Sequence, residues 1–205
     1  MTRFARVIPL LALFLAAAPL GACIETAVVV GAGAAGSTAF QERGGKGGAS
    51  DLGLRAEIVH YWFQADQRFM SDLNLQIYEG RVLVSGELAN EELRATAIQL
   101  TWKAKGVREV LNEVVIGAAA GLGTYWRDSL IVRELDARLL LAKDVSYLDY
   151  SIESFNGVVF LIGVAQDQAE LDRVLAIARN IGGVKRVASH VLLKDDPRRF
   201  RPPPA

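Results

Sequence analysis

Residues 156–163 read Asn-Gly-Val-Val-Phe-Leu-Ile-Gly, and residues 79–86 read Glu-Gly-Arg-Val-Leu-Val-Ser-Gly. The two stretches lie 77 positions apart. In each, a dipeptide ending in Gly leads into an apolar run that closes on a second Gly. Both central positions of a type I′ turn need positive φ, so Glu79-Gly80 and Asn156-Gly157 are read as hairpin turns. The apolar run after each is then the hairpin's second strand.

Working outward, the offset of 77 holds without a gap across much of the unit. Gly106-Val107 maps onto Gly183-Val184, Val110 onto Val187, and Val114 onto Val191. Upstream, Asp51 maps onto Asp128, Leu54 onto Ile131, Ile58 onto Leu135, and Trp62 onto Leu139. A repeat of this length means two copies of one domain. Residues 117–124, Gly-Ala-Ala-Ala-Gly-Leu-Gly-Thr, form the linker between them.

Each copy carries the same order of patterns. Asp51 and Asp128 stand where an N-cap would accept backbone N–H bonds. Apolar spacings of 3, 4 and 4 follow, which is one helical face. Strands are expected over 73–79 and 81–88, and over 148–155 and 158–165. A second helix is expected over 90–105 and 167–181, ending at Gly106 and at Gly182-Gly183 as C-caps. A last strand is expected over 107–116 and 184–193. The order αββαβ lets two amphipathic helices cover one face of a three-stranded mixed sheet, an α+β sandwich. Copies of this size stand near the lower limit for an independent core, so docking of one on the other is expected. Val59, Trp62 and Phe63 exceed the need of one helical face and are candidates for that contact.

The N-terminus has a different logic. Arg3 and Arg6 precede an apolar run over 7–20 that is too short to cross a bilayer as a helix. It fits the h-region of a secretory signal. The run ends in Leu20-Gly21-Ala22-Cys23, which resembles a bacterial lipobox, and Cys23 is the one Cys of the chain. That resemblance implies lipidation of Cys23 and removal of residues 1–22. Ile24, rather than Asp, follows the Cys, which by the same resemblance points to the outer membrane, with the domains in the periplasm.

Residues 23–50 read as a Gly/Ala-rich tether. Gly31-Ala32-Gly33-Ala34-Ala35-Gly36 follows three valines, and Asp51 stands 20 residues beyond Gly31, which imitates a dinucleotide fingerprint. A dinucleotide fold needs a helix and a second apolar strand next. The run Gln41-Glu42-Arg43-Gly44-Gly45-Lys46-Gly47-Gly48 is expected to form neither.

The chain has 205 residues with 23 basic and 23 acidic side chains. Removing residues 1–22 takes away Arg3 and Arg6 and no acid, leaving 21 basic and 23 acidic groups, net −2. No bulk positive charge exists for nucleic acid. With two His and one Cys, a multi-ligand zinc site and a disulfide framework are excluded. His60 and His190 do not occupy equivalent repeat positions, and no nucleophile elbow or HExxH is present. No catalytic residue, metal ligand or cofactor site is expected, and no small-molecule substrate.

The repeat resembles the BON domain of bacterial envelope proteins. The resemblance is carried by Asp128, Ile131, Leu135 and Leu139 at their spacing, by Asn156 to Gly163, and by Gly183-Val184-Lys185-Arg186-Val187. The first copy keeps the frame at Ile58, Gly80, Gly86 and Gly106-Val107, while Trp62-Phe63 departs toward bulk. The organisation expected is a lipoprotein signal over 1–22, lipidated Cys23 and tether over 23–50, and BON domains over 51–116 and 125–195. A disordered Pro/Arg tail over 196–205 completes it. The whole resembles dual-BON outer-membrane lipoproteins.

That likeness implies a non-enzymatic protein that binds anionic phospholipid and supports outer-membrane integrity. In lipid-binding members the first helix of the second domain meets the lipid. Here Tyr125 and Trp126 stand at that helix's start. Trp126, Leu130, Arg133, Ala137 and Leu141 form a stripe apart from the core stripe of Ile131, Leu135, Leu139 and Ala142. Tyr125, Trp126, Arg127, Leu130, Arg133 and Leu141 are the candidate membrane-binding residues. The competing arrangement packs this stripe on the first copy, and Asp128, Glu134 and Asp136 offset the local positive charge. The alternative function is a periplasmic interaction module for an envelope protein or peptidoglycan in envelope or osmotic stress.

Overall fold

The computed structural model describes residues 41–117 and 122–203, with side chains of the second segment from Tyr125 onward. The signal segment, Cys23, the tether to residue 40 with its glycine motif, and linker residues 118–121 lie outside the described residues. The first domain runs α1 (Gly44–Ala65), a short α2 (Arg68–Asp72), β1 (Leu73–Tyr78), β2 (Arg81–Leu88), α3 (Glu91–Lys103) and β3 (Glu109–Ile116). The second runs α4 (Leu122–Leu141), β4 (Tyr150–Phe155), β5 (Val158–Ala165), α5 (Gln168–Arg179) and β6 (Arg186–Leu193).

Each domain is an α+β unit with a three-stranded mixed sheet, ordered β1-β2-β3 and β4-β5-β6. The hairpin partners are antiparallel, with Leu75 opposite Val84 and Ile152 opposite Leu161. The last strand is parallel to the central one, with Val84 opposite Asn112 and Leu161 opposite Ser189. A parallel return needs a crossover, and α3 and α5 supply it. Asn90 and Asp167 cap these helices by accepting from the Leu93 and Glu170 amides.

The hairpin turns have the expected hand. Asn156 and Gly157 have φ of 54° and 77°, and Glu79 and Gly80 have 53° and 71°. The glycine ending each run has a separate reason. A Cβ at Gly163, whose φ is 152°, would stand 2.0 Å from the Asp149 carbonyl oxygen, so only Gly lets β4 and β5 approach there.

Asp51 and Asp128 are not N-caps. Both lie inside their helices and are buried. Each carboxylate reaches the hairpin turn of its own domain. Asp51 accepts from the Glu79 and Gly80 amides at 2.8 Å each. Asp128 accepts from Asn156 at 2.8 Å and Gly157 at 2.9 Å. These turn amides have no strand partner, so a buried carboxylate satisfies them. The helix therefore begins before the aspartate.

In the first domain α1 starts at Gly44, inside the stretch expected as tether. Helix propensity argues against that start, since each Gly costs about 1 kcal/mol relative to Ala. Tertiary contacts offset it. Arg43 reaches Asp51 at 2.5 Å and the Ile77 carbonyl at 3.2 Å, and its guanidinium lies 4.6 Å from the Tyr78 ring centre. Gly53 lies mid-helix with nothing within 4 Å of a Cβ built on it. Gly53→Ala is therefore expected to stabilise the protein by about 0.5–1 kcal/mol, read as a higher urea midpoint at unchanged slope.

Two cores lie between helices and sheets. Leu54, Ile58 and Trp62 of α1 meet Leu75, Val82 and Val84 in the first domain. Ile131, Leu135 and Leu139 of α4 meet Val159, Leu161 and Val174 in the second. Trp62 thus belongs to its own domain's core, where its indole N–H donates to the Ala97 carbonyl. Val59 packs on the same core, and Phe63 is 56% exposed. None of the three forms the domain contact expected of them.

That contact is made instead by the opposite sheet faces. Tyr78 and Leu83 meet Phe160, Ile162, Val164 and Ala188 in a third apolar cluster. The layers therefore run helices, sheet, sheet, helices. A polar rim closes the seam. Arg81 is buried and donates to Glu109 and to the His190 carbonyl. Gln76 donates to Glu153 at 3.2 Å, and His190 lies 2.9 Å from Glu113. Both of these pairs join residues 77 apart, the repeat offset itself. Equivalent positions meet each other, as across a two-fold axis.

Part of the stretch expected as a disordered tail takes up structure. Pro197–Phe200 forms a 3-10 turn begun by Asp196, with Pro at its start. Arg199 is buried, forks onto Glu79 at 2.6 and 2.9 Å, and donates to the Lys194 carbonyl. It ties the end of the second domain to the hairpin turn of the first. Glu42 joins the same junction, its amide donating to the buried Asp149. Burial raises the Asp149 carboxyl above the ordinary range, even though the Glu42 amide and Tyr78 hydroxyl favour its charged form. The second domain's strand β4 starts at Tyr150 rather than 148, because Tyr147–Asp149 makes a 3-10 turn first.

Candidate surface on the first helix of the second domain

Helix α4 sits on the face of its sheet turned away from the first domain. Its core stripe packs on Val159 and Leu161, whereas Phe160 and Ile162 point to the seam. Most of the second stripe therefore lies away from the first copy, and Arg133 borders the groove between the two. The stripe faces outward, where Trp126 and Leu130 are each 64% exposed and Leu141 is 83% exposed. Tyr125 is exposed beside Trp126, edge to face, with ring centres 6.0 Å apart. Leu140 is exposed on the same ridge, a residue the sequence reading passed over. Its place three residues beyond Ala137 and seven beyond Arg133 was the available signal.

The charges sort out differently from their order in sequence. Asp128 is turned inward and accepts from two amides and the Ser154 hydroxyl. Glu134 pairs with Arg138 one turn later at 2.6 Å. Asp136 accepts from the Tyr147 hydroxyl, and burial pushes its carboxyl above the usual range. Arg127 and Arg133 are exposed and have no acidic partner among the described residues. Arg127 and Arg133 thus flank the apolar ridge, Arg133 on the side of the groove that also holds Asp72 and Glu87.

Residues 63–118 and 127–195 match the BON domain family. The chain is a BON-domain protein. Among curated relatives, the 21 kDa hemolysin of Actinobacillus pleuropneumoniae is 33% identical over 64% of this chain and 68% of its own length. The outer membrane lipoprotein DolP of Haemophilus influenzae is 34% identical over 56% of this chain and 59% of its own. An uncharacterised protein of Anaplasma centrale, from the gshII 5′ region, is 35% identical over 60% of this chain and 83% of its own.

Two concavities flank α4 of BON domain 2. One, of about 440 Å³, lies at the groove with BON domain 1, where Tyr125, Arg133 and Glu153 face Asp72 and Glu87. Burial raises the Glu153 carboxyl. The other, of about 570 Å³, opens on the helix's far side beside Arg127, Leu130 and Lys185. Among the described residues no helix is long and apolar enough to cross a membrane. Nor does any group of three or more His, Cys, Asp or Glu among them stand where it could hold a metal ion. His60 is exposed on α1, and His190 serves the seam.

Proposed function

We propose that this chain is a non-enzymatic envelope lipoprotein, anchored through Cys23 to the outer membrane. Its BON domain 2 binds anionic phospholipid through the outer face of α4, and the pair of domains helps maintain membrane integrity from the periplasm. The observation that carries the reading is the ridge of Trp126, Leu130, Leu140 and Leu141, exposed on one helix beside Arg127 and Arg133, which form no ion pair among the described residues. The name of the Haemophilus relative, an outer membrane lipoprotein, supports the anchored part.

The physical case is additive. Fully burying one large apolar side chain is worth about 1.5–3 kcal/mol. Each cation near an anionic surface adds roughly 1 kcal/mol. Several such residues on one rigid helix hold the domain to a bilayer already made local by the acyl chains.

The test uses a form lacking residues 1–23, which keeps every core residue. It is expected to sediment with vesicles containing phosphatidylglycerol. Trp126→Ala with Leu130→Glu is expected to weaken that binding at least tenfold, with an unchanged far-UV spectrum because both side chains are exposed. Undiminished binding by the double variant would reject this face. A stoichiometric protein or peptidoglycan partner with no vesicle association would favour the interaction-module reading.

A further inference from the structure

The geometry points to a phosphate seat in BON domain 2, at the 570 Å³ cavity between α4, the β4–β5 turn and the loop from α5 to β6. Its occupant is the headgroup phosphate of an anionic glycerophospholipid. The inference rests on the membrane reading above and specifies where the lipid is recognised.

The cavity is lined by Arg127, Lys185, Gly182 and Gly183, with Leu130 and Ile131 as its apolar part. The Lys185 ammonium is held at the rim by the Asn156 carbonyl at 2.8 Å. Its remaining donors are free to face an anion. The backbone amides of Gly182 and Gly183 donate to no acceptor among the described residues. Successive unpaired amides beside two cations form an anion-binding concavity.

BON domain 1 supplies an internal comparison. The position equivalent to Gly182 is Lys105, and its amide donates to the Glu57 carboxylate at 3.1 Å. A carboxylate oxygen therefore already occupies this place in the sister domain. The repeat mate of Glu57 is Glu134, whose carboxylate is taken by Arg138 instead. The mates of Arg127 and Leu130 are Ser50 and Gly53. BON domain 1 thus closes the spot with its own acid; it keeps a cation at Arg108, the mate of Lys185, but lacks the counterparts of Arg127 and of the apolar lip. BON domain 2 has both and leaves the amide open.

The apolar side decides which anion fits. Leu130 belongs at once to the cavity and to the exposed ridge. A bound phosphate would have its glycerol and first acyl carbons running along Leu130 onto that ridge. An amphiphile satisfies both halves, and a free phosphate only one.

The experiment follows the Gly182 and Gly183 amide resonances in the form lacking residues 1–23. The probes are short-chain phosphatidylglycerol below its micelle concentration, the matching phosphatidylcholine, and inorganic phosphate. Phosphatidylglycerol is expected to shift both amides saturably, at least tenfold more tightly than either other probe. Arg127→Gln with Lys185→Gln should weaken that binding at least tenfold. It should also bring vesicle binding down to the level seen on zwitterionic vesicles without abolishing it. Silent glycine amides in a protein that still sediments with vesicles would overturn the seat and leave the membrane face standing. Inorganic phosphate binding as tightly as the lipid would overturn the lipid assignment. Loss of all vesicle association in the unaltered protein would overturn the membrane reading itself.

Discussion

Asp128→Ala is expected to destabilise BON domain 2 by roughly 3–5 kcal/mol, a large share of what holds a domain of this size together. The carboxylate is buried inside α4 and accepts from the Asn156 amide, the Gly157 amide and the Ser154 hydroxyl. Truncation orphans all three donors, and each buried unsatisfied group costs about 1–3 kcal/mol. The turn they serve also holds positive φ at Asn156, a conformation that needs its surroundings to fix it. Asp51→Ala in BON domain 1 should cost at least as much, because it also strips the Arg43 guanidinium of its carboxylate partner. Urea unfolding of each single variant checks this. Asp128→Asn, which keeps one acceptor oxygen, should fall between the native chain and the alanine variant. A loss under 1 kcal/mol for both alanine variants would show that the hairpins do not depend on their helices.

That role was invisible to spacing alone, and the reason is physical. An aspartate just before an apolar stripe looks the same whether it caps the helix or lies in its first turns. What separates the cases is a contact 28 and 29 residues away, at the hairpin amides. Local patterns succeeded where structure is locally dictated. The I′ turns, strands β2 and β5, and the starts of the second helices at Asn90 and Asp167 stand where the sequence places them. They failed where tertiary contacts override propensity. Gly44 begins a helix because Arg43 is anchored, and Pro197 begins a 3-10 turn that places Arg199 on Glu79. The outer stripe of α4 was legible because an apolar face opposite a packed one is written in the sequence. The phosphate seat was not, since it depends on a loop and a turn brought to α4 from 25 or more residues beyond Ile131. The sheet-on-sheet seam had a signal that went unused. Val158 to Ala165 is apolar at nearly every position, as a strand buried on both faces must be, whereas a strand with one wet face alternates.

Ile162→Asp is expected to part the two BON domains while leaving each folded. Ile162 is fully buried in the seam, among Tyr78, Leu83, Phe160 and Val164. Its neighbours Val159 and Leu161 serve the other face and the domain's own core. An aspartate here loses the isoleucine's burial, about 2–4 kcal/mol, and an unpaired carboxylate in an apolar layer costs several more. The nearest cation of the seam, Arg81, is already committed to Glu109 and the His190 carbonyl. Separation relieves the carboxylate by giving it water, at the expense of exposing Leu83 and Phe160. The rim pairs Gln76–Glu153 and Glu113–His190 stand near solvent and resist little, whereas the Arg199–Glu79 fork and the Tyr78–Asp149 hydrogen bond also join the domains and must open with the seam. The native protein should therefore unfold in one urea transition and the variant in two, with a larger radius of gyration by small-angle scattering. Vesicle binding should survive, because the α4 ridge lies on the far face of its sheet. One cooperative transition at unchanged radius would mean that the seam does not hold the pair together. Loss of vesicle binding on separation would mean instead that the bilayer reads both domains at once.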